Sequence, residues 1–176
     1  GDVPVGGEGE GEPSAFGFTP TDLDVTALSP AGSLTVTCDT TFDTDARDQL
    51  GSLHGELLGG ATLRDGRLIL DGKEAHVRTA PFARDLREKT LEAWVALANL
   101  DQQGGGVLTV ETSNGVFFDA IVFGEKEPRK WVNGSDNFRR SRNLDGPAET
   151  AKPGELIHVA VSYRANGTVA CFRNGQ

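Results

Sequence analysis

Residues 127–142, EPRKWVNGSDNFRRSR, gather side chains able to hold a polar ligand. Trp131 offers an aromatic face for stacking on a sugar ring, and Asp136, Arg139 and Arg140 could bind hydroxyls or a carboxylate. The competing reading is plainer: a tryptophan on a strand packs into a core, and an arginine-rich loop is a solvated rim. A second group, Asp43, Asp45 and Asp48 in FDTDARDQLG, places three hard oxygen donors in one turn, close enough to share a calcium ion. The turn lacks the glycine and distal glutamate of an EF-hand loop. Its alternative role is a polar turn whose aspartates cap backbone amides.

Catalytic signals are weaker. His54, His76 and His158 are scattered without an H-E-x-x-H spacing. No G-x-S-x-G elbow occurs, and the glycines of QQGGGVL precede a strand rather than a helix, so phosphate cradling at a helix start has no support. Cys38 and Cys171 lie far apart with no C-x-x-C pair. They read as two small buried residues or as one disulfide between the first and last strands, the latter requiring an oxidising compartment. Asn133-Gly134-Ser135 and Asn166-Gly167-Thr168 match the glycosylation acceptor pattern, but both are better explained as turns.

These groups must be positioned by strands. GSLTVTCDTTF alternates Leu34, Val36, Cys38, Thr40 and Phe42 with Thr35, Thr37 and Asp39, a period of two. The same pattern recurs in GRLILDG, EAHVRTA, KTLEAWVAL, GGVLTVETS, GVFFDAIVF, ELIHVAVSY and GTVACFRNG. Turn pairs separate them: Asp65-Gly66, Asp71-Gly72, Asn114-Gly115, Asn166-Gly167 and Asn174-Gly175. ARDLREK, residues 83–89, could form one helical turn. The pattern predicts an all-β, two-sheet antiparallel sandwich or jelly roll, since stacking two sheets covers their apolar faces. In KTLEAWVAL, Leu91, Ala93, Val95 and Leu97 share one face, and Glu92, Trp94 and Ala96 the other. That assigns an inner strand whose second side is a partly covered concave surface, where Glu92 needs a partner or water. On this reading Trp94 serves packing first.

The chain of 176 residues has room for one core. Residues 1–14 are dominated by Gly, Glu and Pro and read as a flexible linker, leaving residues 15–176 as the domain. The absence of an initiating methionine suggests a piece of a longer chain. Residues 1–48 hold ten acids and one base, and the remainder sixteen of each, so the net charge of -9 belongs to the N-terminal part. A near-neutral body argues against nucleic acid as a partner. No apolar run approaches the roughly 20 residues of a bilayer span, which argues against membrane insertion.

LDGKEAHVRT, KTLEAWVAL, HVAVSY and GTVACFRNGQ stand in the order and spacing of the laminin-G-like family of concanavalin A-type jelly rolls, and residues 34–176 resemble that family. FDTDARDQLGSLHGELLGGATLRDGRLILDG and FFDAIVFGEKEPRKWVNGSDNFRR resemble more narrowly the version appended to exported bacterial multidomain proteins with cytochrome-like domains. Such domains continue past the N-G turn with one or two further strands, so the expectation is either a last strand without its neighbour or a domain truncated at Gln176. The resemblance implies a non-catalytic adhesion or binding module. Its partners would be a glycan or protein ligand and the neighbouring domains of a parent chain, sometimes with Ca2+, in an extracytoplasmic setting. Endoglucanases of this architecture carry E-x-D-x-x-E or E-x-D-x-E on one strand. Here Phe117 stands where the first acid belongs, two residues before Asp119, and Glu125 falls beyond Gly124. The two remaining expectations are a structural spacer or docking domain and, more remotely, a glycosidase.

Overall fold

The computed structural model describes residues 16–19, 38–82, 86–141 and 146–176, the first four by backbone alone. The linker expected over residues 1–14 lies outside them. Among the described residues eleven strands follow in order: β1 (Phe16–Thr19), β2 (Gly55–Leu58), β3 (Thr62–Leu63), β4 (Leu68–Leu70), β5 (His76–Thr79), β6 (Lys89–Ala96), β7 (Gly105–Glu111), β8 (Phe118–Phe123), β9 (Trp131–Ser135), β10 (Leu156–Tyr163) and β11 (Val169–Arg173). All neighbouring strands run antiparallel. One sheet has the order β11-β10-β6-β1-β4-β3, another β7-β8-β9, and β2 pairs with β5.

The alternation read in the sequence sets which faces meet. Leu91, Ala93 and Val95 of β6 and Ile157, Val159 and Val161 of β10 point inward, where they meet Ile121 and Phe123 of β8 in one buried cluster. Leu57 of β2 and Val77 of β5 pack against the same cluster, as do Val169 and Cys171 of β11. The result is a β-sandwich, as the pattern predicts. Among the described residues no helix is long and apolar enough to cross a membrane.

Three local expectations are corrected. The strand expected over residues 32–42 is irregular in its described part, residues 38–42. Phe42 adopts a φ of +57°, which interrupts an extended run. The amide and carbonyl of Asp39 are taken by Asp48 and Gln49 rather than by a neighbouring strand. The helical turn expected at residues 83–89 is absent from Leu86 to Lys89, because Lys89 already opens β6; residues 83–85 lie outside the described set. Asn133-Gly134, expected as a turn, lies inside β9. A Cβ on Gly134 would come 2.6 Å from Val122 Cγ2 and 3.3 Å from Ala120 Cβ, so this glycine permits close packing rather than a change of direction. The turn glycines 66, 72, 115, 167 and 175 do take positive φ.

Candidate functional site

Trp131 opens β9 directly opposite Phe123, and the two rings lie 4.9 Å apart. Its indole Nε1–H donates to Glu149 Oε2 at 3.0 Å. Glu149 has a fully buried side chain that also accepts from Arg173 Nε and Nη2, both at 2.8 Å, and from the Thr150 and Ala151 amides, both at 2.8 Å. Burial pushes this carboxyl up, but the bonds from Arg173, Trp131 and the two amides outweigh it and hold the pKa at about 2. Trp131 is therefore clamped against the core, with its polar atom spent inside the fold. It does not stand out as a stacking platform.

Asp136 is buried, in a 3₁₀ turn spanning Asp136–Phe138, and Arg140 Nη1 lies 2.7 Å from its Oδ1. Arg140 also donates through Nε to Asp119 Oδ1 at 3.1 Å and through Nη2 to the Phe118 carbonyl at 2.6 Å. On the other side of Asp119, Lys89 Nζ lies 2.5 Å from Oδ2. Arg139 is mostly exposed, its Nε 3.8 Å from Asp136 Oδ2. Arg129 and Lys130 are paired with Asp101 and Glu127. Asp136 is thus buried at the inner end of an ion network, while Arg140, 43% exposed, and Arg139 lie at its surface; Arg142 lies outside the described residues.

The three aspartates do not converge on an ion. Asp48 is buried and accepts backbone N–H groups of Asp39, Leu50 and Gly51 on Oδ1 and of Leu53 on Oδ2. Burial raises its pKa, yet these amides together bring it below the usual carboxylate value. Asp45 accepts from the Arg47 amide at 3.0 Å, and Asp43 lies beside Gly66. Among the described residues no group of three or more His, Cys, Asp or Glu side chains is placed to hold a metal ion. The donor set does not fit calcium, since the oxygens of Asp48 are already committed to the backbone. This is the amide-capping turn that the same residue types also allow.

Cys38 and Cys171 are free thiols. Burial, reinforced for Cys38 by the Asp48 charge, pushes both up to about 11. Neither is a thiolate nucleophile at neutral pH.

The outer face of the six-stranded sheet carries a group that the local patterns did not assemble. On it, β6 presents Thr90, Glu92 and Trp94, β10 presents His158, Ala160 and Ser162, and β11 presents Ala170 and Phe172, as the strand register aligns them. His158 stands opposite Trp94, with ring centroids 5.2 Å apart, and its Nε2 reaches diagonally to Glu92 Oε1 at 2.6 Å. The two side chains keep 26% and 18% of their surface for Glu92 and His158 respectively, Trp94 is partly buried, and Phe172 is 37% exposed. Glu92 and Trp94 were legible as the second face of an inner strand. His158 was not, because its neighbourhood depends on a pairing between distant segments. The arrangement offers a ring face, an imidazole and a carboxylate that is oriented and still reachable.

A family model described as "Concanavalin A-like lectin/glucanases superfamily" matches residues 71–176, which hold β5 to β11. No curated protein and no solved structure matches the chain.

Proposed function

The chain belongs to the concanavalin A-like lectin/glucanase superfamily, and from that premise we propose that it is a non-catalytic binding module taking a carbohydrate chain on the outer face of its six-stranded sheet. The observation that carries this reading is the Trp94–His158–Glu92 group on β6 and β10. The apolar C–H face of a sugar ring packs on an indole, and ring hydroxyls donate to a carboxylate oxygen. Glu92 Oε1 is already engaged by His158, which fixes the carboxylate, and the Glu92 side chain keeps 26% of its surface exposed. Phe172 is separated from Glu92 by the single strand β10, at Ala160. Two interstrand steps of about 4.8 Å put the two positions roughly 10 Å apart, so an extended ligand could reach both Trp94 and Phe172.

The non-catalytic part of the proposal rests on the acids. Both oxygens of Asp119 are held, by Lys89 and Arg140, and Phe117 fills the place of a first acid in an exposed turn. Calorimetric titration with a panel of neutral and acidic oligosaccharides tests the reading. Saturable binding weakened at least tenfold in Trp94→Ala and in Glu92→Gln, with the fold retained by circular dichroism, is the expected result. A silent panel would favour a spacer or docking role, and cleavage of any polysaccharide would refute the non-catalytic assignment.

A further inference from the structure

We infer that Lys89 and Asp119 are the two halves of a self-formed amide bond that staples β6 to β8 across the sandwich. Lys89 is the first residue of β6, in the six-stranded sheet, and Asp119 lies on β8, the middle strand of the three-stranded one. Nζ stands 2.5 Å from Oδ2, with side-chain exposures of only 6% and 16%. Few lysines are this buried, and fewer with their nitrogen so close to one carboxylate.

The surroundings suit condensation. The Lys89 Nζ lies over the ring of buried Tyr163, 4.5 Å from its centroid, which shields one side from water. Arg140 Nε holds Oδ1 at 3.1 Å, which leaves Oδ2 toward the amine and puts a cation where negative charge would develop. Charge balance points the same way. Lys89 and Arg140 face Asp119 and Asp136, so these four groups balance in charge, with exposed Arg139 at the edge. Joining Lys89 to Asp119 removes one charge of each sign and leaves Arg140 paired with Asp136 at 2.7 Å. Two buried ions disappear without stranding a third, and buried ions are costly to keep.

The step needs no oxidant, reductant or co-reactant. One proton passes from the ammonium to Oδ2, giving an amine and a carboxylic acid. The Nζ lone pair attacks Cγ, and the carbonyl electron pair moves onto Oδ1, where the Arg140 N–H stabilises it. A second Nζ proton passes to the Oδ2 hydroxyl, the Cγ–Oδ2 bond breaks as the carbonyl re-forms, and one water leaves. Nζ keeps its last proton as the amide N–H. Holding the two groups in contact supplies the effective concentration that free amine and acid lack.

Intact mass of the full chain in denaturing solvent, after incubation at neutral pH, tests this. The chain should be lighter than its sequence by one water, and proteolysis should yield a branched peptide joining the Lys89 and Asp119 segments. Lys89→Met should restore the full sequence mass. Asp119→Asn, which loses ammonia instead, should end at the same mass as the wild-type product. Asp65-Gly66, Asp71-Gly72 and Asp145-Gly146 can also lose water as succinimides, but hydroxylamine opens those rings and leaves a lysine amide intact. A wild-type chain at full mass overturns the inference, as does a water loss reversed by hydroxylamine or persisting in Lys89→Met. If Lys89→Met does not fold, the presence or absence of the branched wild-type peptide decides.

Discussion

Replacing Glu149 by Gln isolates the interaction that fastens β9 and β11 to the loop between β9 and β10. The carboxylate accepts five hydrogen bonds from Trp131, Arg173 and two amides, and its side chain is fully buried. An amide keeps the shape but turns an NH2 toward donors and removes the charge that the Arg173 guanidinium is bonded to. The folded pKa of about 2 lies below the value of 4.5 expected when unfolded. The stability it contributes is therefore complete above pH 4.5 and lost as the pH falls through 2. At about 1.4 kcal/mol per pKa unit, that contribution is about 3 kcal/mol at pH 7. Urea unfolding followed by tryptophan fluorescence, at steps from pH 7 to pH 2, should show Glu149→Gln less stable by about 3 kcal/mol at neutral pH. The gap should shrink to less than about 1 kcal/mol near pH 2, where the wild-type carboxyl takes up its proton. A variant within about 1 kcal/mol of wild type at pH 7, or a gap that ignores acid, would refute the linkage between this buried network and stability.

Further outcomes follow from the same geometry. Gly134→Ala forces a methyl group to 2.6 Å from Val122 Cγ2 and should cost about 1–3 kcal/mol, read as a lowered Tm in calorimetry. Asp48→Ala leaves four backbone amides unpaired in the 39–53 turn and should destabilise the fold by about 2–4 kcal/mol; adding millimolar calcium to the wild type should leave its Tm unchanged, whereas a rise would restore the ion reading. Cys38 and Cys171 should react with a chromogenic disulfide at pH 8 only slowly until the chain is unfolded in urea, since both thiols are held near 11 by burial. Rapid stoichiometric labelling of the native protein would contradict that placement.

Period-two alternation was a reliable guide where the strand was long and its faces differed. It located β6, β8 and β10, and put Glu92 and Trp94 on the right face before any partner was known. It missed β9, because Asn133-Gly134 carries a strong turn signal that the close approach of Val122 and Ala120 overrides. It also missed β2 and β3, which are only four and two residues long, β2 opening on Gly55 and ending before Gly59. Residue types at the site were legible, but the contacts they make were not. Trp131, Asp136 and Arg140 look like a ligand loop in sequence; the fold bonds Trp131 to Glu149, buries Asp136 against Arg140, and leaves the Arg140 side chain exposed while it pairs with Asp119. Glu149 itself sits in a segment without periodicity, GPAETAKPG, where nothing local announces a buried carboxylate. His158 joins Glu92 only through the β6–β10 register, which is information about distant pairing.

That register also has a kinetic meaning. β6 lies between β1 and β10, so the middle of the larger sheet is built from segments remote along the chain, while the adjoining hairpins β7–β8 and β10–β11 are local. Loop closure must be met before β6 gains either neighbour, which predicts folding on the millisecond-to-second scale rather than in microseconds. During synthesis β6 emerges well ahead of β10, and it waits with Leu91, Val95 and an open hydrogen-bonding edge uncovered. The interval before β10 arrives is when this chain is most exposed to aggregation.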